Sequence, residues 1–332
     1  MGIEMLWEGL WLAAGLAVII KGGDLFVSAS VRIAELLRVP RVVIGSTLVS
    51  LATSSPELVV SVTASLRGEP GLALGNAVGS SLCNAGLILG GMAIVQQVAV
   101  HPGVLRVALG SMLGLAALLF VLTLDLEVSR AQGLALLLLG AAYFAYDFLV
   151  HRRDTRPADV AATASIELEA VAGHAWLLTP WGTAGQFLAG AVLVMAGGRL
   201  LVDAAVSLAG ALGIPSLVVG LTIVAVGTSL PEMVTALTSA WRGASDLGVG
   251  NILGASIANL SLIPGAAAAI APVGIDRAAQ LYNMTALLGL LAAVTFLIVR
   301  RGGISRRAGI GLVVFYGAYL VGLVTLSVAG GP

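Results

Sequence analysis

The sequence contains very little charge for its length. Only 10% of its 332 residues are Asp, Glu, Lys or Arg, whereas 58% are hydrophobic and the mean hydropathy is +1.04. So few polar side chains cannot cover a water-soluble globule, which excludes a soluble protein. Acidic and basic residues balance at 17 each. Without a basic surplus, we expect no nucleic-acid partner.

Cysteine and histidine are also scarce. Cys83 is the only cysteine, which excludes an intrachain disulfide bond, and the chain contains three histidines. Soft transition metals bind clusters of these side chains, and the sequence has no such cluster. We therefore expect no cofactor, and any cation that binds should meet oxygen ligands.

Long apolar stretches fill most of the chain, separated by short polar interruptions. Each is long enough to cross the hydrocarbon layer as a helix, which takes about 20 residues. The first should be retained, because no Lys or Arg precedes it as in a removable signal peptide. The sequence thus predicts an all-α integral membrane protein with ten transmembrane helices, at 7–30, 40–66, 71–98, 103–124, 130–150, 181–208, 214–241, 246–272, 278–300 and 306–328.

The chain contains an internal repeat. Two segments are similar in sequence and lie 220 − 45 = 175 residues apart. They are GSTLVSLATSSPELVVSVTASLRG, which begins at Gly45, and GLTIVAVGTSLPEMVTALTSAWRG, which begins at Gly220. We expect two membrane repeats, 1–150 and 181–332, joined by a cytoplasmic linker, 151–180. Because each repeat has five spans, an odd number, the second must enter the membrane from the opposite side. Inverted repeats of this kind place a substrate site near the midplane, where they meet.

Arginines are concentrated on one side of this predicted topology. Short cytoplasmic loops carry an excess of Lys and Arg, and an external N-terminus satisfies that rule. We therefore expect a protein of the cell (inner) membrane with both termini extracytoplasmic. That orientation puts twelve loop arginines inside, namely Arg32, Arg38, Arg41, Arg106, Arg152, Arg153, Arg156, Arg242, Arg300, Arg301, Arg306 and Arg307, and three outside, namely Arg67, Arg130 and Arg277.

A five-residue motif, TSxPE, lies near the middle of the second span and again of the seventh, at residues 53–57 and 228–232. Its proline lacks an N–H and clashes with the preceding turn, so both helices should be broken and backbone oxygens freed. Broken backbone at that depth is tolerated only beside a cavity or within protein. An intramembrane carboxylate costs about 2.5–3.5 kcal/mol unless a proton or cation neutralises it. Glu57 and Glu232 therefore indicate a functional site, the alternative being protonated carboxyl groups that only pack.

Two related glycine-rich segments contribute amides at a similar depth. GNAVGSSLCN (75–84) in the third span and GNILGASIAN (250–259) in the eighth end in Asn84 and Asn259. Small residues let helices approach closely. The alternative to ion binding is therefore that these amides form hydrogen bonds between neighbouring helices and have no other role. Two carboxylates, two carboxamides, hydroxyls and freed carbonyls form an oxygen shell of the size that Ca²⁺ prefers, about 6–8 ligands.

These motifs carry a resemblance to a known family. Across Gly22–Gly90 and Gly197–Gly265 the sequence resembles the cation/calcium exchanger (CaCA) superfamily, in particular its sodium/calcium exchanger branch with two alpha repeats. The paired TSxPE motifs are specific, because the proton/calcium branch typically carries GNxxE. Thr53 and Thr228 therefore favour sodium coupling.

The resemblance implies roles for individual residues. Glu57 and Glu232 would bind Ca²⁺ and, alternately, Na⁺. Spans 1 and 6 would form a gating bundle that slides against the core, which suits their Gly22-Gly23 and Gly197-Gly198 pairs. Further ligands would be the side chains of Thr53, Ser54, Thr228, Ser229 and Ser80, with the carbonyl oxygens of Ser50 and Ala225.

Two departures from the family pattern bear on the coupling ion. Family members commonly carry serine at both positions that match Ser80, but its repeat partner here is Ala255. Some carry an aspartate where this chain has Asn84 or Asn259. The charge of the site is thus at most −2, and the sodium stoichiometry stays open.

Four functions are compatible with such a site. The leading prediction is a secondary antiporter that exchanges Ca²⁺ for Na⁺, and the nearest alternatives couple Ca²⁺ to protons or add K⁺. A passive calcium channel is less favoured, because carboxylate filters usually come from several subunits. An intramembrane acid–base enzyme would explain neither the amides nor the duplication. We expect a transporter and not an enzyme, whose partners are calcium and sodium ions and the lipid bilayer, without an obligate protein partner.

Overall fold

The protein is described by a computed structural model that covers residues 2–37, 39–66, 68, 70–99, 102–151, 179–211, 225–275 and 277–329. These residues are almost entirely helical, which confirms the predicted all-α class. The helices are α1 (Gly2–Leu37), α2 (Arg41–Ile44), α3 (Ser50–Thr53), α4 (Ser55–Leu66), α5 (Pro70–Cys83), α6 (Leu89–Val95), α7 (Pro102–Leu122), α8 (Arg130–His151), α9 (Pro180–Ala211), α10 (Ala225–Thr228), α11 (Leu230–Trp241), α12 (Ser245–Leu260), α13 (Leu262–Ile270), α14 (Arg277–Arg301) and α15 (Arg306–Ala329).

Seven helical stretches of the described chain are long and apolar enough to cross a membrane, and a bent pair makes up to eight. The sixth predicted span forms a 32-residue helix, α9, which is not among them. The seventh lies partly outside the described residues, so the total of ten stays a prediction. So does the linker, since 152–178 also lies outside them. The spans are Gly9–Leu37, Ala73–Val95, Leu105–Leu122, Arg130–Val150, Ser245–Ile270, Gln280–Arg301, Arg306–Leu326 and the pair Arg41–Thr53 with Ser55–Leu66.

The first helix extends beyond its predicted bounds of 7–30. It runs for 36 residues, about 54 Å at 1.5 Å per residue, which is longer than the hydrocarbon layer is thick. In the sequence, the charged Arg32 predicts that the first span ends before it. In the structure only 5% of Arg32 is exposed. Packing against protein therefore lets the helix continue where apolarity alone predicts that it stops.

Both predicted interruptions are present. Span 2 passes from α2 through a π-helical segment, Gly45–Val49, into α3. It breaks at Ser54 (φ −82°, ψ 6°) and bends by 41° into α4. The repeat-related Ser229 (φ −89°, ψ 9°) separates α10 from α11. In each case the motif's proline lies in the first turn of the new helix, where its missing N–H has no intrahelical partner to lose.

Two further irregularities were not predicted. Span 3 contains a second π-helical segment, Asn84–Ile88, and span 8 breaks at Ser261 (φ −133°, ψ −72°) between α12 and α13. π-helical turns often occur at functional sites. Pro264 could have located the second break, because it cannot donate a helix hydrogen bond.

Four two-residue strands tie the span ends together. β1 (Val98–Ala99) pairs antiparallel with β4 (Gly303–Ile304), and β2 (Glu127–Val128) with β3 (Val273–Gly274). An offset of 175 carries Val98 of β1 onto Val273 of β3. Each short sheet therefore joins elements of both sequence repeats.

Spans 1 and 6 pack against each other. A Cβ atom at Gly22 would lie 2.8 Å from Leu193 Cβ, so the two helices touch where only glycine fits. The rings of Phe26 and Phe187 are 4.6 Å apart. This pairing agrees with the expected bundle, whereas its sliding stays a prediction.

Helix α12 occupies the centre of the molecule. Every residue from Leu247 to Leu260 is buried. A Cβ at Gly250 would collide with the carbonyl oxygen of Val42, and one at Gly254 with that of Ser46. Glycine therefore lets α12 lie directly against the first half of span 2, beside the break.

Candidate cation site

The serine of each break bonds the glutamate of the other repeat. Ser54 Oγ donates to Glu232 Oε1 at 3.0 Å, and Ser229 Oγ donates to Glu57 Oε1 at 3.4 Å. Both glutamates are completely buried. These reciprocal bonds bring the two predicted carboxylates together at one place between the repeats.

The local backbone suits a carboxylate at both positions. Glu57 is the third residue of α4 and Glu232 the third of α11, immediately after the breaks. The first N–H groups of a helix have no intrahelical acceptor, and the helix dipole there favours negative charge. The breaks therefore provide a helix N-terminus to stabilise each carboxylate.

The threonines of the motif also bond across the repeats. Thr53 Oγ1 donates to Asn251 Oδ1 at 3.0 Å, and Thr228 Oγ1 donates to Asn76 Oδ1 at 3.5 Å. Asn76 Nδ2 in turn donates to the carbonyl oxygen of Glu57 at 3.2 Å. Asn76 and Asn251 are not among the ligands predicted from the sequence. Their shared 175-residue offset was the available signal.

Ser50 lies where the resemblance implies a backbone ligand. Its carbonyl oxygen accepts from Thr53 Oγ1 at 3.3 Å, and the residue is completely buried. Ala225 is the first residue of α10, in the related position before the second break. A role for either carbonyl in binding a cation stays a prediction.

The remaining predicted ligands are buried polar groups on neighbouring helices. Ser80 and Asn84 are one turn apart in span 3, and the π-helical segment that begins at Asn84 contacts both α11 and α12. Asn259 lies near the end of α12, one turn after the fully buried Ala255. These elements bring both amides into the core that holds the glutamates.

Several of these polar atoms have no hydrogen-bond partner within the part of the chain that the structure describes. An unpaired buried polar group costs about 1–3 kcal/mol, so such a group calls for an explanation. A cation bound by the oxygens would supply one, although the amide nitrogens would still need an acceptor. The atoms are Glu57 Oε2, Glu232 Oε2, Ser80 Oγ, and Oδ1 and Nδ2 of both Asn84 and Asn259.

The donor chemistry fits a hard cation. Carboxylate, carboxamide, hydroxyl and carbonyl oxygens are the ligands of Ca²⁺. Among the described residues, no group of three or more His, Cys, Asp or Glu side chains could hold a metal ion. The predicted ligand set combines two carboxylates with otherwise neutral oxygens.

The chain is similar in sequence to a known protein family and to individual membrane proteins. A sequence model of the family described as "Sodium/calcium exchanger protein" matches residues 7–149 and 182–325. The inner membrane protein YrbG of Escherichia coli (strain K12) is 34% identical over 325 residues, 97% of each chain. The sodium/calcium exchanger MaX1 of Methanosarcina acetivorans is 29% identical over 342 residues, covering 94% of this chain and 97% of MaX1.

A solved structure shows the same fold. The sodium-calcium exchanger NCX_Mj, soaked with zero Na⁺ and Ca²⁺, matches with a TM-score of 0.79 at 29% identity, covering 97% of this chain and 100% of that one. Together with the apolar spans, these relatives make the chain an integral membrane protein. It belongs to the sodium/calcium exchanger protein family, which consists of transporters and not enzymes.

Proposed function

We propose that the protein is a secondary antiporter that exchanges Ca²⁺ for Na⁺ across the membrane. The observation that carries this proposal is the reciprocal pair of serine–glutamate bonds, Ser54 to Glu232 and Ser229 to Glu57. It concentrates a charge of at most −2 at one buried point. One Ca²⁺ or two Na⁺ ions would neutralise that charge equally well. Competition for the same carboxylates is what exchange requires.

The proposed ligands are those predicted from the sequence. Glu57 and Glu232 hold Ca²⁺, with Asn84 and Asn259 beside them. A hard cation moved from water into the protein needs oxygen atoms to replace its hydration shell. The neutral oxygens of this shell come from Thr53, Ser54, Ser80, Thr228, Ser229 and the carbonyls of Ser50 and Ala225.

Transport proceeds by alternating access between two inverted repeats of five spans each. The bundle of spans 1 and 6 slides against the core and exposes the site to one side at a time. The close helix contact at Gly22 supports the bundle, and the repeated breaks at Ser54 and Ser229 support the duplication. Both termini are extracytoplasmic and the linker, 151–180, is cytoplasmic.

The test is calcium uptake into proteoliposomes that contain the purified protein, under separately imposed sodium, potassium and proton gradients. We expect an outward sodium gradient alone to drive uptake. Uptake that requires potassium or a proton gradient would identify a different coupling ion. Uptake that needs no counter-ion would indicate a passive channel and would refute the antiport proposal.

A further inference from the structure

Asp147 is a buried carboxylate within a membrane span, outside the proposed set of cation ligands. Only 2% of it is exposed, and it lies four residues before the end of α8 at His151. Ionisable side chains inside spans are costly, so their presence indicates a function. Its carboxylate Oδ2 accepts a hydrogen bond of 2.6 Å from Ser46 Oγ. That length is typical of a strong hydroxyl–carboxylate bond.

Two further hydrogen bonds, each from a side-chain hydroxyl to a backbone carbonyl, link Ser46 to the cation site. Ser46 belongs to the π-helical segment of span 2, and its carbonyl oxygen accepts from Ser50 Oγ at 2.9 Å. The carbonyl oxygen of Ser50 accepts from Thr53 Oγ1 at 3.3 Å. Asp147 is therefore connected, through Ser46 and Ser50, to a threonine that the TSxPE motif places at the site.

Helix α12 presses on the same segment from another side. A Cβ at Gly254 would collide with the carbonyl oxygen of Ser46 and with Ser50 Oγ. The backbone of Ser46 is thus confined by α12, while its hydroxyl is held by α8. This double restraint leaves little freedom for the turn that carries the Ser50 carbonyl.

The second repeat lacks the side chains that form this connection. At an offset of 175, the positions of Ser46 and Ser50 are occupied by Leu221 and Ala225. In the last span of each repeat the offset is 176, because Ser129-Arg130 matches Ser305-Arg306, and the position of Asp147 is occupied by Leu323. Both hydroxyls and the carboxylate are replaced together, although the motif threonine is retained. A set of residues present in one repeat and replaced in the other suggests a role that only one half of the site needs.

We propose that Asp147 is a positioning residue for the cation site. By holding the Ser46 hydroxyl, it orients the Ser50 carbonyl and the Thr53 hydroxyl, so that the half-site of the first repeat is stiffer than that of the second. This inference rests on the proposed function. Sodium binding depends on it more than calcium binding, because Ca²⁺ interacts chiefly with the two glutamates, whereas Na⁺ relies more on neutral oxygens.

The test compares Asp147→Asn and Ser46→Ala with the wild-type protein in sodium-driven calcium exchange. We expect Ser46→Ala to raise the sodium concentration for half-maximal exchange about threefold to tenfold, the effect of losing one net hydrogen bond. Asp147→Asn should raise it by less, because the neutral amide oxygen still accepts from Ser46 but more weakly than a carboxylate. The maximal rate and the calcium dependence should stay within about twofold of wild type. The double variant should be no worse than Ser46→Ala alone, because Asp147→Asn weakens the same bond that Ser46→Ala removes.

Thr123→Val is the matched control. Thr123 is completely buried, and its hydroxyl donates to the carbonyl oxygens of Leu119 and Phe120 in the preceding turn. Thr123 directly follows the end of α7 and is not a proposed ligand, so removing its buried hydroxyl should not change the sodium dependence. The sodium-induced rise in melting temperature of the purified protein gives a second readout, which should shrink in Asp147→Asn and Ser46→Ala only.

Each outcome bears on one proposal. If the wild-type protein shows no sodium-driven exchange, the proposed function fails. If it does, and a folded Ser46→Ala protein keeps the wild-type sodium dependence, the positioning role is refuted. A loss of maximal rate with unchanged sodium dependence, or additive effects in the double variant, would likewise refute it. Should Asp147→Asn not fold, Ser46→Ala alone decides.

Discussion

Ser229 Oγ lies 3.4 Å from Glu57 Oε1, which is 3.4 − 3.0 = 0.4 Å farther than Ser54 Oγ lies from Glu232 Oε1. Both bonds join one repeat to the other. The two halves of the molecule are therefore held together at the same groups that we propose bind the transported ions.

Replacing either glutamate should abolish exchange. In Glu57→Gln and Glu232→Gln the amide keeps the shape of the side chain but removes a charge that offsets Ca²⁺. We expect no sodium-driven calcium uptake above empty liposomes, with a melting temperature in ion-free buffer at or above that of wild type, because a buried charge is removed. Near-normal uptake in both variants would rule out the proposed site.

The unequal sodium ligands of the two repeats should be measurable. Ser80 offers a hydroxyl, whereas its repeat partner Ala255 offers only a methyl group, and both are buried. Ala255→Ser should lower the sodium concentration for half-maximal exchange, and Ser80→Ala should raise it, each by about 1 kcal/mol or roughly fivefold. Calcium dependence should change little. If neither changes the sodium dependence while a pH gradient drives uptake without sodium, protons are the coupling ions.

A single hydroxyl should stabilise the second repeat. Asn76 Nδ2 donates to Ser61 Oγ at 3.0 Å, but Asn251 Nδ2 is buried without a partner among the described residues, and the position related to Ser61 is Ala236. Ala236→Ser should supply the missing acceptor and stabilise the fold by about 1 kcal/mol. The measurement is the melting temperature of the purified protein.

Ala240→Ser is the control for this prediction. Ala240 lies one turn further along α11 and is also buried. In the first repeat, the serine that bonds the asparagine amide is at the position related to Ala236 and not at the one related to Ala240. We therefore expect Ala240→Ser to leave the melting temperature unchanged or to lower it. Equal effects of the two serines would contradict the explanation.

An ion pair joins span 1 to the end of span 7. Arg242 Nη2 lies 2.9 Å from Asp24 Oδ1, and Arg242 Nη1 donates to Ser28 Oγ at 2.5 Å. Both charged side chains are more than a third exposed, so solvent limits the pair to at most about 1 kcal/mol. If span 1 moves during transport, Asp24→Asn should alter the maximal rate by up to roughly fivefold.

The ion affinities of Asp24→Asn should stay unchanged, because Asp24 is not a proposed ligand. The charge-exchanged variant Asp24→Arg with Arg242→Asp should restore part of the rate. A change in half-saturating sodium with an unaltered maximal rate would contradict a role in movement.

The predicted topology can be tested at the linker. Thr155 lies outside the described residues, between the two repeats, and the arginine distribution places it in the cytoplasm. In a Cys83→Ser background, a cysteine introduced at Thr155 should react with an impermeant thiol reagent only after the membrane is opened. Labelling of Thr155→Cys in intact cells from the outside would contradict the predicted orientation.

The breaks show how far local sequence can predict structure. Proline in each TSxPE motif located the breaks at Ser54 and Ser229, because the missing N–H acts within one turn. The predicted end of span 1 at residue 30 was wrong, because Arg32 is buried in the folded protein and the helix continues past it. The π-helical segment at Asn84–Ile88 was not predicted, since no residue within it is incompatible with an α-helix.

The all-α membrane class, the sequence duplication and the paired motifs can be read from the chain alone, because they follow from local composition and a nearly constant offset. Which residues meet is fixed by the packing of the folded helices. Ser54 bonds Glu232 at a separation of 178 residues, Thr53 bonds Asn251 at 198, and Ser46 bonds Asp147 at 101. Such partners depend on how whole helices pack, and the 175-residue repeat equally permits a motif to bond within its own half. Close approach at glycines such as Gly254 selects the observed arrangement, since a larger side chain there would separate α12 from span 2.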